Sequence, residues 1–334
     1  MPVMTLPTPQ DFVLARDVCS YGYFVLAPNV WDPRTKTLMR VLSLRDGATS
    51  DPVLVAIRQR AKGRLAITIS HSLEPSQREV VRAQVSRMLR LDESAQRIAQ
   101  FHQRDPRFAA SGRGRIFRSP TLFEDVVKTV TSCNVQWPGT IQMNRRLCEV
   151  VGSAVVIAGR GPAATRAFAF PTPKQLARTR PGTLRSRCRV GYRDVRLVEL
   201  ARLFTLAPSK GGVDQAWLED PATPDDAMFK YLVKLPGVGP YAAANIMQLL
   251  GRYARLPLDT ESARHGKHVL GFKGSAAKLA KQVREHFAPL GEDAFRSYWF
   301  ELWTQYEALK GPAWTWDRDG VGSTFVSDAA RAMK

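Results

Sequence analysis

"LPGVGPYAAANIMQLLGRYARLPLDTESARH" runs from Leu235 to His265, and its reading decides the fold. The segment just before it, "TPDDAMFKYLVK" (223–234), has the pattern of a helix start. Thr223 can cap, Pro224 suits the first helical position, and Asp225 and Asp226 suit the positive end of the helix dipole. Pro236 ends that helix, because proline lacks an N–H and disfavours helical geometry at the residue before it. Gly237 and Gly239 permit tight or left-handed backbone without a Cβ clash. A second helix is expected to begin near Pro240, with unpaired amides at its positive end. Amides and dipole together make a phosphate site that needs no side-chain charge. About twenty residues after Gly239 stands one carboxylate, Asp259, in "LDTESARH", which also reads as a helix N-cap.

Working outward, residues 21–70 favour strands. "DPVLVAI" alternates Val53, Val55 and Ile57 inward, and "RLAITIS" does the same with Leu65, Ile67 and Ile69. Lys62-Gly63 joins the two as a hairpin, Asp46-Gly47 closes a further strand, "TLMRVLSL", and a small antiparallel sheet is expected over residues 10–72. The period then becomes helical: "EPSQREVVRAQVSRMLRL" places Val80, Val81, Val85, Met88 and Leu89 on one face. "SPTLFEDVVKTV" offers Thr121 and Glu124 as a capping box. Proline and glycine break the chain near 152–162, 171–173, 181–182 and 208–212. The expected class is α+β: an N-terminal antiparallel β/α domain over 1–90, then a mainly α-helical two-lobed module over 91–334, with the helix-hairpin-helix at about 224–251.

The chain has 334 residues, 44% apolar and 24% charged, as folded water-soluble proteins do. Its 49 Lys+Arg against 30 Asp+Glu give a formal charge of +19, which favours a polyanionic partner, nucleic acid first. An arginine-rich lineage habit is the bland alternative. No stretch reaches the roughly 18 apolar residues of a membrane span, and the start lacks a signal pattern. Cys19, Cys133, Cys148 and Cys188 contain no C-x-x-C pair, and the five histidines show no ligand spacing. A reduced, cytoplasmic protein is expected, nucleoid-associated through DNA if bacterial, monomeric and without membrane contact.

"LPGVGPYAAANIMQLLG…LPLDT" resembles the helix-hairpin-helix, Gly-Pro-Asp superfamily of base-excision DNA glycosylases. The segment "FRSPTLFEDVVKTVTSCNVQWPGTIQMNRRLCEVVG" is similar to the part of such enzymes that pushes a side chain into the DNA stack. The start, including "YGYFVLAPNVW", resembles the extra N-terminal domain of the 3-methyladenine II and 8-oxoguanine branches. The resemblance implies hairpin amides of Gly237, Gly239 and Tyr241 on a DNA phosphate, and Asp259 as the catalytic acid. It also implies gap filling by Asn134 and Val135, and a hairpin Na+ or K+ held by backbone carbonyls of Val233, Leu235 and Val238. Bifunctional members carry a Schiff-base lysine where Tyr241 stands, and the iron–sulfur branches carry four cysteines after the aspartate. This chain has neither, so no iron–sulfur cluster and no required cofactor are expected.

Composition adds a surface and a pocket. Between Arg178 and Arg196, seven of nineteen residues are arginine. Arg185, Arg187, Arg189 and Arg193 are the candidates for phosphate contact, with Arg113, Arg115 and Arg118 a second group. "FRSYWFELWTQYE" supplies an aromatic stripe that reads first as core. Trp299, with Tyr241, is the candidate for stacking on a flipped base. The expected activity is a monofunctional glycosylase hydrolysing the N-glycosidic bond of a damaged, alkylated purine in double-stranded DNA, for which one carboxylate suffices. An oxidised-purine glycosylase and a non-catalytic DNA-binding module are the alternatives.

Overall fold

The computed structural model describes residues 1–47, 51–157 and 165–316. Five strands, β1 (Val3–Pro7), β2 (Val30–Asp32), β3 (Thr37–Ser43), β4 (Pro52–Ala61) and β5 (Arg64–Ile69), form one antiparallel sheet in the order β1-β5-β4-β3-β2. Gly63, at φ +78°, turns β4 into β5. Val53, Val55, Ile57, Leu65, Ile67 and Ile69 are all buried, as their alternation requires. The sheet begins earlier than residue 10, because β1 pairs with β5 (Met4 opposite Ile67) as a five-residue edge strand. The "YGYFV" stretch is not strand. Tyr21 through Asn29 are buried consecutively, which leaves no solvent face for alternation, and Gly22–Val25 forms a 3-10 turn after the short α1 (Leu14–Val18).

Helices follow: α2 (Pro75–Met88) and α3 (Ala95–Arg104), then α4 (Leu122–Ser132) and α5 (Trp137–Val151). Val81, Val85, Met88 and Leu89 are buried from α2 onward, while Val80 is half-buried. A two-stranded ribbon, β6 (Ala154–Ile157) and β7 (Thr165–Phe168), occupies part of the expected break at 152–162; residues 158–164 lie outside the described residues. Beyond it come α6 (Pro173–Ala177), α7 (Pro181–Thr183), α8 (Asp194–Thr205) and α9 (Gln215–Glu219). The chain continues through α10 (Asp225–Leu232), α11 (Pro240–Leu249), α12 (Thr260–His268), α13 (Ala276–Phe287) and α14 (Ala294–Lys310). No helix among the described residues is long and apolar enough to cross a membrane.

Two expected caps are corrected. Thr121 does accept from the Glu124 N–H (3.2 Å), but the Glu124 carboxylate does not return to close a box. It is buried and takes Arg40 of β3 (2.9 Å) and Lys128 (2.7 Å) instead. A helix buried on all sides must neutralise its charges internally, and that need outweighs a cap. Thr223 does not cap α10: its hydroxyl donates to the Trp217 carbonyl, and the helix starts one residue late, at Asp225.

Buried apolar side chains form two clusters. One gathers the sheet, α2 and the C-terminal helices, from Met4 through Phe117 and again from Leu249 to Trp316. The other gathers the middle helices, from Leu122 to Met247, joined by Ala27. Each buried Leu, Val, Ile or Phe is worth about 1.5–3 kcal/mol, so both clusters are true cores. The site lies where they meet.

Candidate active site

The hairpin forms where expected. Leu235 N–H donates to the Leu232 carbonyl and Val238 N–H to the Leu235 carbonyl, both 3.0 Å, and Gly237 sits at φ +81°. A Cβ on Gly237 would also stand 3.3 Å from Val130 Cγ1. Gly239 is different: its backbone is extended, and a Cβ there would meet nothing within 4 Å. That open space is the groove itself. Pro240 opens α11 with no side chain capping it, so the amides of Tyr241 and Ala242 at the start of the helix are left for a ligand. The opposite end of α11 is closed by buried arginines. Arg90 donates to the Gln248 (2.9 Å) and Leu249 (2.6 Å) carbonyls, and Arg118 to Leu249 (3.1 Å).

Asp259 is both a cap and an available acid. Its Oδ1 accepts from the N–H (2.9 Å) and hydroxyl (3.2 Å) of Ser262, capping α12. Its Oδ2 accepts from the Tyr241 hydroxyl at 3.0 Å, and the residue is exposed. Burial, then the negative charge of Asp259, push the Tyr241 phenol well above its ordinary range, so it remains a donor. The Tyr298 hydroxyl hydrogen-bonds Ser262 Oγ (3.0 Å), extending the support of the carboxylate to α14. Glu261 also lines the site, but Arg264 and the Tyr306 hydroxyl hold it.

Asp259 and Tyr241 border two hollows. Outward lies a groove of about 900 Å³, lined by Asn134, Val135, Tyr192, Arg196 and the hairpin from Val233 to Ala242. Inward lies a cavity of about 470 Å³ lined by Tyr21, Trp137, Asn245, Phe295, Tyr298 and Trp299. Trp299 is anchored by its indole N–H on the Ser20 carbonyl (2.8 Å) and packs on Tyr21 (centroids 4.8 Å) and Phe295 (6.0 Å). Gly22 lets Trp137 close the wall, since a Cβ there would lie 2.9 Å from the indole.

No family model and no curated protein sequence matches the chain. Solved structures do match. The 3-methyladenine DNA glycosylase from Archaeoglobus fulgidus aligns with TM-score 0.65 and 17% identity, over 91% of this chain and 99% of that one. The Clostridium acetobutylicum 8-oxoguanine glycosylase/lyase aligns in its apo form with TM-score 0.63 and 19% identity, over 90% and 96%. The same enzyme in complex with DNA aligns with TM-score 0.62 and 18% identity, over 92% and 99%. The chain has the fold of the helix-hairpin-helix DNA glycosylases.

In this glycosylase fold the other candidates divide. Asn134 and Val135 are exposed at the turn between α4 and α5, with Asn134 at φ +51° and its amide donating to the exposed Tyr192 hydroxyl (3.3 Å). Arg185, Arg187 and Arg189 are exposed, Arg185 being paired with Asp194 (2.8 Å). Arg193 is not a surface residue. Its guanidinium donates to the carbonyls of Val130 and Val190 (both 3.2 Å) and Cys133, satisfying the free C-terminal end of α4 beneath the Asn134 turn. Arg113, Arg115 and Arg118 are likewise buried, against Glu307, Asp11 and Asp92, and are excluded from phosphate contact. Sequence reading passed over Tyr192, Arg196 and Asn245. Arg196 belongs to the arginine run, and its side chain reaches Gly237 and the Tyr192 ring (5.6 Å).

Among the described residues no group of three or more His, Cys, Asp or Glu could hold a metal. For a monovalent ion at the hairpin, Val233, Leu235 and Val238 all line the groove, and neutral carbonyls are suitable donors for Na+ or K+. The Leu235 carbonyl already accepts one hydrogen bond and keeps one lone pair.

Proposed function

We propose that the protein is a monofunctional DNA glycosylase that hydrolyses the bond between a damaged purine, of the alkylated class, and deoxyribose in duplex DNA. The observation that carries this reading is the position of Asp259, an acid at the border of an amide-lined groove and an aromatic cavity. The uncapped amides of α11 would hold a backbone phosphate, and the extruded nucleotide would put its base into the cavity. Asn134 and Val135, with Tyr192 beside them, would fill the vacated stack. As the glycosidic bond breaks, its electron pair leaves with the base, and positive charge develops on the sugar. Asp259 Oδ2 stabilises that charge and orients a water, whose oxygen bonds to the anomeric carbon while its proton passes to the carboxylate. An alkylated base is already electron-poor and leaves without a strong acid, and aromatic faces suit a cationic ring. The 3-methyladenine glycosylase named above shares the fold, so this architecture accommodates such chemistry, while the choice of the alkylated class rests on the aromatic cavity and the single carboxylate.

The exposed Asn134 favours a second reading, an oxidised-purine glycosylase, and the 8-oxoguanine enzyme named above shares the fold as well. Tyr241 cannot form an imine, so either activity would leave an intact abasic site. The test uses end-labelled duplexes, each with one defined lesion. Release of base by the wild type and its loss in Asp259→Asn, with DNA affinity kept, is expected. A binding-only protein would retain DNA and release nothing. Borohydride trapping of a covalent adduct would overturn the monofunctional assignment.

A further inference from the structure

Asn245 lies one turn beyond Tyr241 on α11 and lines the aromatic cavity, with only 8% of its surface exposed. Its neighbours fix which way the amide points. Asn245 Nδ2 donates to the Tyr241 carbonyl at 3.1 Å, and a carbonyl can only accept. Asn245 Oδ1 accepts from Gln248 Nε2 at 2.6 Å and from the Tyr21 hydroxyl at 3.4 Å. Gln248 Nε2 also donates to the Tyr21 oxygen at 3.1 Å, and Gln248 itself is fully buried. Flipping the Asn245 amide would set oxygen against the Tyr241 carbonyl and nitrogen against Gln248 Nε2, two like-with-like contacts. Burial holds the Tyr21 phenol protonated, so it stays a donor toward Oδ1.

The carbonyl oxygen of Asn245 is therefore used twice and one of its two N–H bonds once. The second N–H has no acceptor among the described residues, and Asn245 lines the cavity that a base would enter. A fixed, nearly dry donor beside stacked rings is costly to leave unpaired, so it discriminates between ligand edges more strongly than the rings do. The rings themselves accept any flat base.

We propose that Asn245 reads the edge of the extruded base, selecting a purine that presents a hydrogen-bond acceptor, such as a carbonyl oxygen, over one that presents an amino group. This inference rests on the glycosylase reading above. Asn245 is a specificity residue, separate from the acid that acts on the sugar.

The experiment compares kcat/KM for 7-methylguanine, which carries a carbonyl at its 6-position, with that for 3-methyladenine, which carries an amino group there. Wild type, Asn245→Asp and Asn245→Ala are each assayed, with circular dichroism and affinity for abasic-site DNA as controls. The ratio of carbonyl to amino substrate is expected to fall about tenfold in both variants, while abasic-site affinity stays within about twofold. Asn245→Ala keeps the test open should the added carboxylate of Asn245→Asp impair folding. An unchanged ratio in a folded variant that still releases base overturns the role of Asn245 and leaves the glycosylase reading intact. A wild type that releases no base from any lesion overturns the glycosylase reading, and this inference with it.

Discussion

At the scale of single residues, the contact between Tyr241 and Asp259 is the most informative. A phenol held protonated beside an exposed carboxylate fixes the direction of Oδ2 without neutralising it. Tyr241→Phe should therefore lower kcat and leave DNA affinity unchanged. A hydrogen bond to a charged group is worth about 1.5–3 kcal/mol, and the exposure of Asp259 places the loss at the lower end, about tenfold. Because the tyrosine pKa lies above its ordinary value of about 10, the phenol does not titrate between about pH 6 and 9, and the tenfold ratio should be constant across that range. Single-turnover rates at several pH values check this. A ratio that vanishes toward pH 9 would show that the hydroxyl is ionising and the assignment of donor is wrong.

Elements show why local signals succeeded or failed. Gly239 faces the groove with open space around its missing side chain, so Gly239→Val should fold normally and yet weaken binding to every duplex, damaged or not. Equal affinity of wild type and a folded Gly239→Val protein for undamaged DNA would remove the hairpin from the interface. In α4 the failure of the expected capping box identifies an internal charge cluster. Burial pushes the Glu124 carboxyl up, but Arg40 and Lys128 outweigh it and hold it below the ordinary carboxylate range. A depressed native pKa gives stability that is present above the unfolded value, about 4.3, and lost as pH falls through the native one. Glu124→Gln should cost about 3–5 kcal/mol in urea unfolding at neutral pH, since it leaves Arg40 and Lys128 buried without their counter-charge. In the wild type that contribution should survive until pH drops below about 4.

For the whole molecule, net charge must be divided between surface and interior. Arg113, Arg115, Arg118 and Arg193 stand in the interior against carboxylates or helix-end carbonyls. Arg187 and Arg189 remain exposed within the arginine run. Reversing Arg187 and Arg189 together should flatten the slope of log affinity against log salt by about one unit for each phosphate no longer neutralised. Arg115→Ala should leave that slope alone and lower thermal stability, because it strands Asp11. Measuring both slopes and both melting curves separates the two populations. A flattened slope for Arg115→Ala would contradict its burial.

By itself, the sequence determined what is local. The strands at 51–57 and 64–70 followed from a period of two, α2 from a period near 3.6, the start of α4 from the Thr121 cap, and the hairpin from Pro236, Gly237, Gly239 and Pro240. Asp259 was legible because its distance along the chain from Gly239 is short and fixed by one helix and one loop. Tertiary structure alone decided what is brought together from far apart. The edge strand β1 exists only through its pairing with β5, and the ends of the chain share a core that the 1–90 boundary does not suggest. Which arginines face solvent could not be read from composition, because their partners Asp11, Asp92 and Glu307 lie elsewhere in the chain. The same holds for the cavity: Tyr21, Asn245 and Trp299 come from three distant segments, and no pattern within any one of them encodes their meeting. Local periodicity and turn chemistry act over a few residues, whereas burial and charge neutralisation act across the folded chain.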